Sequence, residues 1–339
     1  MRNTLNCVTF VVVFALYVVN SAYAGTVQDI QQRGKMRCGV ATGLPGFAVR
    51  GPENKWSGID VDICRAVAAA VLGDDSKVEY IPLITPDRFP TLISGKIDLL
   101  VRNTTWTQTR DITLGINFAG VNYYDGQSFM VRKSTKIRRL SQLDKKTICV
   151  QSATTHELNL IDYFSLHKLT YTPISFETSE QTIKAFEGKK CDVLTSDQSQ
   201  LFALRTMMKN KKDIFILPDL ISKEPLGPAV REGDEQWFSL VQWSLFAMIN
   251  AEELGVSSKN VEKMKSSKNP QIRRLLGGGK NLGRNFGVER GWGYRIIKQV
   301  GNYAEIFERN VGMQSPLKIH RGLNALWSDG GIQYAPPVR

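Results

Sequence analysis

"KIDLLVRNTTWTQTRD", residues 96–111, runs from an apolar segment into concentrated polarity without a spacer. Ile97 to Val101 has the length and apolarity of a buried strand, and Gly95 closes the helical stretch before it. Hydroxyls, an amide, Trp106 and then Arg110 arrive together. The upstream residues say what kind of strand this is. Met36–Val40 reads as a first strand, and Asp62–Val71 as a helix with Ile63, Val67, Ala70 and Val71 on one face. Val78–Pro82 is a second strand, and Phe89–Ser94 a short helix. Strand–helix–strand–helix–strand is the pattern of a parallel sheet covered by helices. Such sheets bind ligands beyond the carboxyl ends of their strands. Residues 102–111 begin at such an end.

Downstream the same grammar restarts. Thr147–Val150 is a strand, Glu157–Phe164 a helix with Leu158 and Ile161 on one face, and Tyr171–Ile174 a strand. The helix Ser179–Phe186 and the strand Cys191–Leu194 follow. A chain of 339 residues has room for two such lobes. Gly126–Lys133 reads as one extended bridge between them, and Leu220–Val230 as a second. The helix Asp234–Ile249 carries Trp237, Leu240, Val241, Leu245 and Met248 as a core stripe. The expected division is therefore 25–127 for lobe 1, 128–222 for lobe 2, and 223–339 for a return to lobe 1 with a helical C-terminal extension.

Residues 1–24 read as a signal peptide. Arg2 supplies the basic start, Val8–Val19 the apolar core and Ala22-Tyr23-Ala24 the cleavage site. The apolar run falls short of the roughly 20 residues of a spanning helix, and no later segment is apolar enough to cross a bilayer. Losing Arg2 lowers the formal charge from +12 to +11. The basic residues are scattered without interleaved aromatics, as on a solvated surface, so a nucleic-acid partner is not expected. Cys38, Cys64, Cys149 and Cys191 remain after cleavage, with no zinc spacing and three histidines in the whole chain. In an exported protein an even count suggests two disulfides. Three connectivities are possible; Cys38–Cys64 with Cys149–Cys191 keeps each pair inside one lobe.

No nucleophile elbow, H-E-x-x-H motif or phosphate loop occurs, and neither a metal nor a cofactor is expected. Three polar segments instead complement a small zwitterion. Thr104, Thr105 and Arg110 can hold a carboxylate. Ser152–Glu157 opens a helix, with Thr154 and Glu157 spaced as a capping box and free amides suited to a carboxylate. Asp197, just past a strand end, can hold an ammonium group or cap the next helix.

These stretches resemble the periplasmic solute-binding proteins of polar amino-acid ABC transporters, closest to the general L-amino-acid-binding subgroup. "GIDVDICRAVAAAV", "RNTTWTQTRD", "FAGVNYYDGQSFMV", "CVQSATTHELNL", "ISKEPLGPAVREGDEQW", "FAMINAEELGV" and "GLNALW" carry the resemblance over about residues 28–339. It implies a type II periplasmic-binding-protein fold, with two mainly parallel, helix-flanked sheets joined by two crossover strands. It also implies a monomer that captures L-amino acids in the periplasm and passes them to membrane permease subunits without chemistry. In such proteins Thr105, Arg110, Thr154 and the Thr155 amide correspond to carboxylate contacts, and Asp197 to the ammonium partner. Asn103, Phe47 and Thr85 are further expected contacts, and Trp106 either lines the side-chain pocket or packs beneath its loop. Many relatives have glycine at Ala153 and Thr155, which leaves that loop's shape open. The competing reading is an exported enzyme on the same scaffold, such as a dehydratase, with Asp87 or Glu157 as its acid.

Overall fold

The computed structural model describes residues 25–339; the expected signal peptide, 1–24, lies outside the described residues. The chain enters by α1 (Thr26–Arg33) and β1 (Met36–Ala41), then a small hairpin of β2 (Val49–Arg50) and β3 (Trp56–Ser57). Next come α2 (Ile59–Leu72), β4 (Val78–Leu83), α3 (Arg88–Ile93) and β5 (Leu99–Leu100). The alanine-rich α2 is buried almost all round, because small side chains let it pack between β1 and three later helices. After α4 (Gln108–Thr113) and β6 (Ile116–Phe118), β7 (Tyr123–Asp125) leads to the second sheet.

That sheet begins with β8 (Gln127–Arg132) and β9 (Lys146–Gln151), and continues through α5 (Thr155–Leu166), β10 (Tyr171–Phe176) and α6 (Ser179–Glu187). It ends with β11 (Val193–Asp197), α7 (Gln198–Met207) and β12 (Ile214–Ile216). The chain returns by β13 (Glu224–Leu226) and β14 (Ala229–Arg231) into the long α8 (Glu235–Glu253). The last helices are α9 (Val261–Met264), α10 (Pro270–Leu275), α11 (Trp292–Gln299) and α12 (Tyr303–Asn310).

The two sheets share one plan, β4-β1-β5-β14-β6 and β10-β9-β11-β8-β12. In each, three strands run parallel and a strand from the crossing region joins antiparallel. β7 and β13 pair antiparallel between the sheets, with Tyr124 opposite Pro225. The bridge expected at 126–133 is thus corrected: the crossing is made a few residues earlier. Phe129, Met130 and Val131 are wholly buried inside the second sheet, which their apolar side chains require.

A second correction concerns α5. Leu158 and Ile161 are exposed (64% and 56%), while His156, Leu160 and Phe164 form the buried side. The polar His156 sets this rotation, because the helix turns it inward against Asp197. Cys38 of β1 bonds to Cys64 of α2, and Cys149 of β9 to Cys191 before β11, with Cα separations of 6.3 and 5.7 Å. The extension packs α11 and α12 on α2 and α8 and reaches the crossing itself. Asn324 Oδ1 accepts the Tyr124 amide at 2.7 Å, its Nδ2 donates to the Tyr124 carbonyl at 3.0 Å, and the Tyr303 hydroxyl donates to the Asn122 carbonyl.

Candidate functional site

The strand exits of both sheets meet across one cleft. On the first side, Arg102 turns inward, donating from Nε to the Leu83 carbonyl at 2.9 Å and from Nη2 to Thr85 Oγ1 at 3.0 Å. Asn103 has a left-handed φ of 34° and donates its amide to Asp60. Burial pushes the Asp60 carboxyl up to about 7, against the Asn103 amide, Asn122 and Arg102. Thr104 is spent internally: its hydroxyl donates to the Arg102 carbonyl and its own carbonyl accepts from Gly227. Thr107 caps α4 through the Arg110 amide, which explains the run of threonines. Arg110 then folds back so that Nη1 donates to the Thr105 carbonyl at 2.8 Å.

On the second side, the loop after β9 holds Ala153 at φ 59°, a conformation easy for glycine that costs another residue about 1–2 kcal/mol. The expected Thr154–Glu157 capping box does not form. The Thr154 hydroxyl donates to the Gln151 carbonyl, and Glu157 accepts from the Ala153 amide and Ser175 because the Ala153 turn brings that amide under it. Side chains therefore leave the first α5 amides uncapped. Asp197 does not cap α7 either. Its carboxylate lies 2.8 Å from His156 Nε2 and accepts from Gln200.

Thr85, Arg88, Arg102, Asn103, Thr105 and Arg110 face Gln151, Thr154, Thr155, His156, Asp197 and Gln200. The space among them is about 10 Å³, about enough for one water. A chamber of about 410 Å³ adjoins it, sharing Arg102, Asn103, Gln151 and Gln200, with Thr42, Gly43 and Leu44 on its wall. A larger cavity of about 620 Å³ lies at the far end of the second lobe, lined by Arg132, Lys189 and Lys209 and remote from these strand exits.

Seven of the expected contacts line the cleft: Thr85, Asn103, Thr105, Arg110, Thr154, Thr155 and Asp197. Phe47 does not. It is wholly buried, packed edge-on to Tyr123 at 5.7 Å, so the first loop meets the adjoining chamber through residues 42–44 instead. Trp106 stacks on Phe118 at 5.7 Å, outside the cleft lining, and donates its amide to Pro225. Sequence reasoning missed Arg88, Arg102, Gln151, His156, Gln200 and, beside them, Glu224. His156 and Glu224 stand inside the stretches "CVQSATTHELNL" and "ISKEPLGPAVREGDEQW", but nothing in their spacing marked them.

Charge is segregated in this space. His156, Asp197 and Glu224 bring ligating atoms within 4.8 Å of one another, all buried. Their oxygens are already engaged: Glu224 accepts from Asn159, Ser222 and Thr155, and Asp197 from Gln200 beside His156. The three form a buried, acceptor-rich cluster at the edge of the cleft. Burial opposes charge on His156, but Asp197 at 2.8 Å, with Glu224 and Asp125 beyond, raises its imidazole above the ordinary value. Burial lowers Arg110, with Glu224 and Asp197 acting against it. Asn103 Oδ1, Arg88 Nε and His156 Nδ1 are buried without a hydrogen-bond partner among the described residues, and all three residues line the cleft. Unsatisfied buried groups are rare in folded proteins, so their concentration here marks a place built to meet another molecule.

Residues 36–260 match the family model of bacterial extracellular solute-binding proteins, family 3. The chain is 53% identical to the putative amino-acid ABC transporter-binding protein YhdW of Escherichia coli (strain K12), over 96% of each chain. It is also 53% identical to the general L-amino acid-binding periplasmic protein AapJ of Rhizobium johnstonii, over 94% of each. Among solved structures, a periplasmic binding protein from Brucella ovis with glutathione bound superposes with a TM-score of 0.92 at 50% identity, covering 94% of this chain and all of that one.

Proposed function

The chain belongs to the bacterial extracellular solute-binding proteins of family 3 and has their type II two-lobe fold; on that premise we propose that it captures L-amino acids in the periplasm and delivers them to an ABC permease. The observation that carries this reading is the opposition of Arg110 to the Asp197–Glu224 cluster across one closed cleft. The α-carboxylate pairs with the Arg110 fork and Thr105, and with the uncapped amides of α5 at Thr154–Thr155. The α-ammonium displaces the His156 contact and donates to Asp197. Asn103 and Thr85 face the side chain. Because the ligand touches both lobes, it stabilises the closed form.

The lobes are read as 25–127, 128–222 and 223–339, and residues 1–24 as the export signal. The protein acts as a monomer and leaves its ligand unchanged. Against a dehydratase on the same scaffold, Asp87 is exposed and Glu157 is tied to Ala153 and Ser175; neither lines the cleft. Glutathione, bound by the Brucella ovis neighbour, carries the same zwitterion on its γ-glutamyl end and belongs in the ligand panel.

Calorimetry with the common L-amino acids, their D-isomers and glutathione tests the reading. Micromolar binding of L-isomers, roughly 8 kcal/mol, is expected, with none for D-isomers. Arg110→Ala should lose about 2–5 kcal/mol of that by stranding the carboxylate. Absence of L-amino-acid binding, or near-normal affinity in the variant, overturns it.

A further inference from the structure

We propose that Arg88 is a second anion subsite in the cleft, which reads a side-chain carboxylate and makes acidic L-amino acids the preferred ligands. This rests on the reading of the cleft as an L-amino-acid site. Arg88 opens α3 just beyond the exit of β4, is 3% exposed and lines the cleft. Its one hydrogen bond among the described residues runs across the cleft, from Nη2 to the Ala153 carbonyl at 3.2 Å, and its Nε has no partner.

The neighbouring guanidiniums are accounted for. Arg102 donates to Leu83 and Thr85 and has Asp60 as its countercharge. Arg110 has Glu224 and Asp197 as countercharges and takes the α-carboxylate. Arg88 and Arg110 lie over one Phe89 ring, 4.8 and 5.3 Å from its centroid, so a shared platform holds two separate forks toward the same space. Burial, then Arg110 and Arg102, push Arg88 below its ordinary range, with Asp197, which also faces Arg110 and His156, acting against them. A neutral amino acid brings one carboxylate and one ammonium, and leaves Arg88 as it was. A second carboxylate supplies the missing charge and matches the planar fork.

A purely structural Arg88, bracing the lobes through Ala153, would weaken every ligand alike. Calorimetry on the wild type and on Arg88→Gln and Arg88→Lys, with L-glutamate and L-glutamine, separates the two. In the wild type L-glutamate should bind at least tenfold tighter than L-glutamine. Arg88→Gln should cost L-glutamate at least tenfold and L-glutamine less than threefold, and Arg88→Lys should keep part of the preference. Equal losses for both ligands overturn the proposal. Should Arg88→Gln not fold, the wild type alone decides through L-glutamate and its γ-methyl ester, where equal affinity also overturns it. Binding of L-glutamine without Arg88-dependent selectivity sinks this inference alone. Failure of the wild type to bind either amino acid sinks the amino-acid reading with it.

Discussion

Asp197 is buried, yet in the closed cleft it is already matched by His156, 2.8 Å away. Any ligand ammonium that takes Asp197 must displace that imidazole from it. A protonated His156 opposes the incoming charge, so binding should release a proton. His156 titrates above its ordinary value because Asp197, Glu224 and Asp125 surround it. Protons therefore compete with ligand below that raised value, and the competition fades as pH rises through it. Affinity for L-glutamine should increase from pH 6 to pH 8, with proton release visible as a buffer-dependent heat in calorimetry. His156→Gln should flatten the profile; an unchanged slope in that variant contradicts the pairing.

At the scale of elements, α5 shows how a site can override a pattern. Leu158 and Ile161 sit three apart, as a core stripe would, but the helix buries His156, Leu160 and Phe164 at four-residue spacing. The polar contact at its first turn fixes the rotation, and everything downstream follows the 3.6-residue period. The energetic consequence is a contrast between near neighbours. Leu160→Ala should cost about 2–5 kcal/mol of stability, whereas Leu158→Ala should stay within about 0.5 kcal/mol. Denaturant unfolding of the two variants reads the difference directly, and equal costs would place the buried face wrongly.

The whole molecule is held closed by few direct bonds across the cleft. Gln151 Nε2 donates to Thr85 Oγ1 at 2.7 Å, and Arg88 donates to the Ala153 carbonyl. With about 10 Å³ between the walls, no amino acid enters without the lobes separating. The motion has to pass through β7 and β13, and the C-terminal extension grips that crossing. Both backbone groups of Tyr124 point away from β13, and Asn324 satisfies them from the outer side. Gln333 adds contacts to the Val121 carbonyl and the Tyr303 hydroxyl. The extension is thus a brace on the hinge as well as a cover for the first sheet. Asn324→Ala should loosen it, raising the ligand-free radius of gyration in small-angle scattering and weakening affinity without touching a cleft residue. No change in either measure would reduce the extension to packing.

By itself the sequence determined the alternation of strands and helices, the pairing of each sheet's polar exits with its apolar runs, and the choice of Arg110, Thr105 and Asp197 as candidates, all three of which line the cleft. Those features are local: period, turn chemistry and side-chain type are written residue by residue. Only the tertiary structure decided that Phe47 packs on Tyr123 instead of a ligand, and that Trp106 stacks on Phe118. It also brought Arg88, His156 and Glu224, far apart in the chain, into one space. A lone arginine, histidine or glutamate carries no spacing signal. Its role comes from what burial removes and what the opposite lobe supplies, and the polar segment "RNTTWTQTRD" becomes half a site only when Asp197 stands across from it.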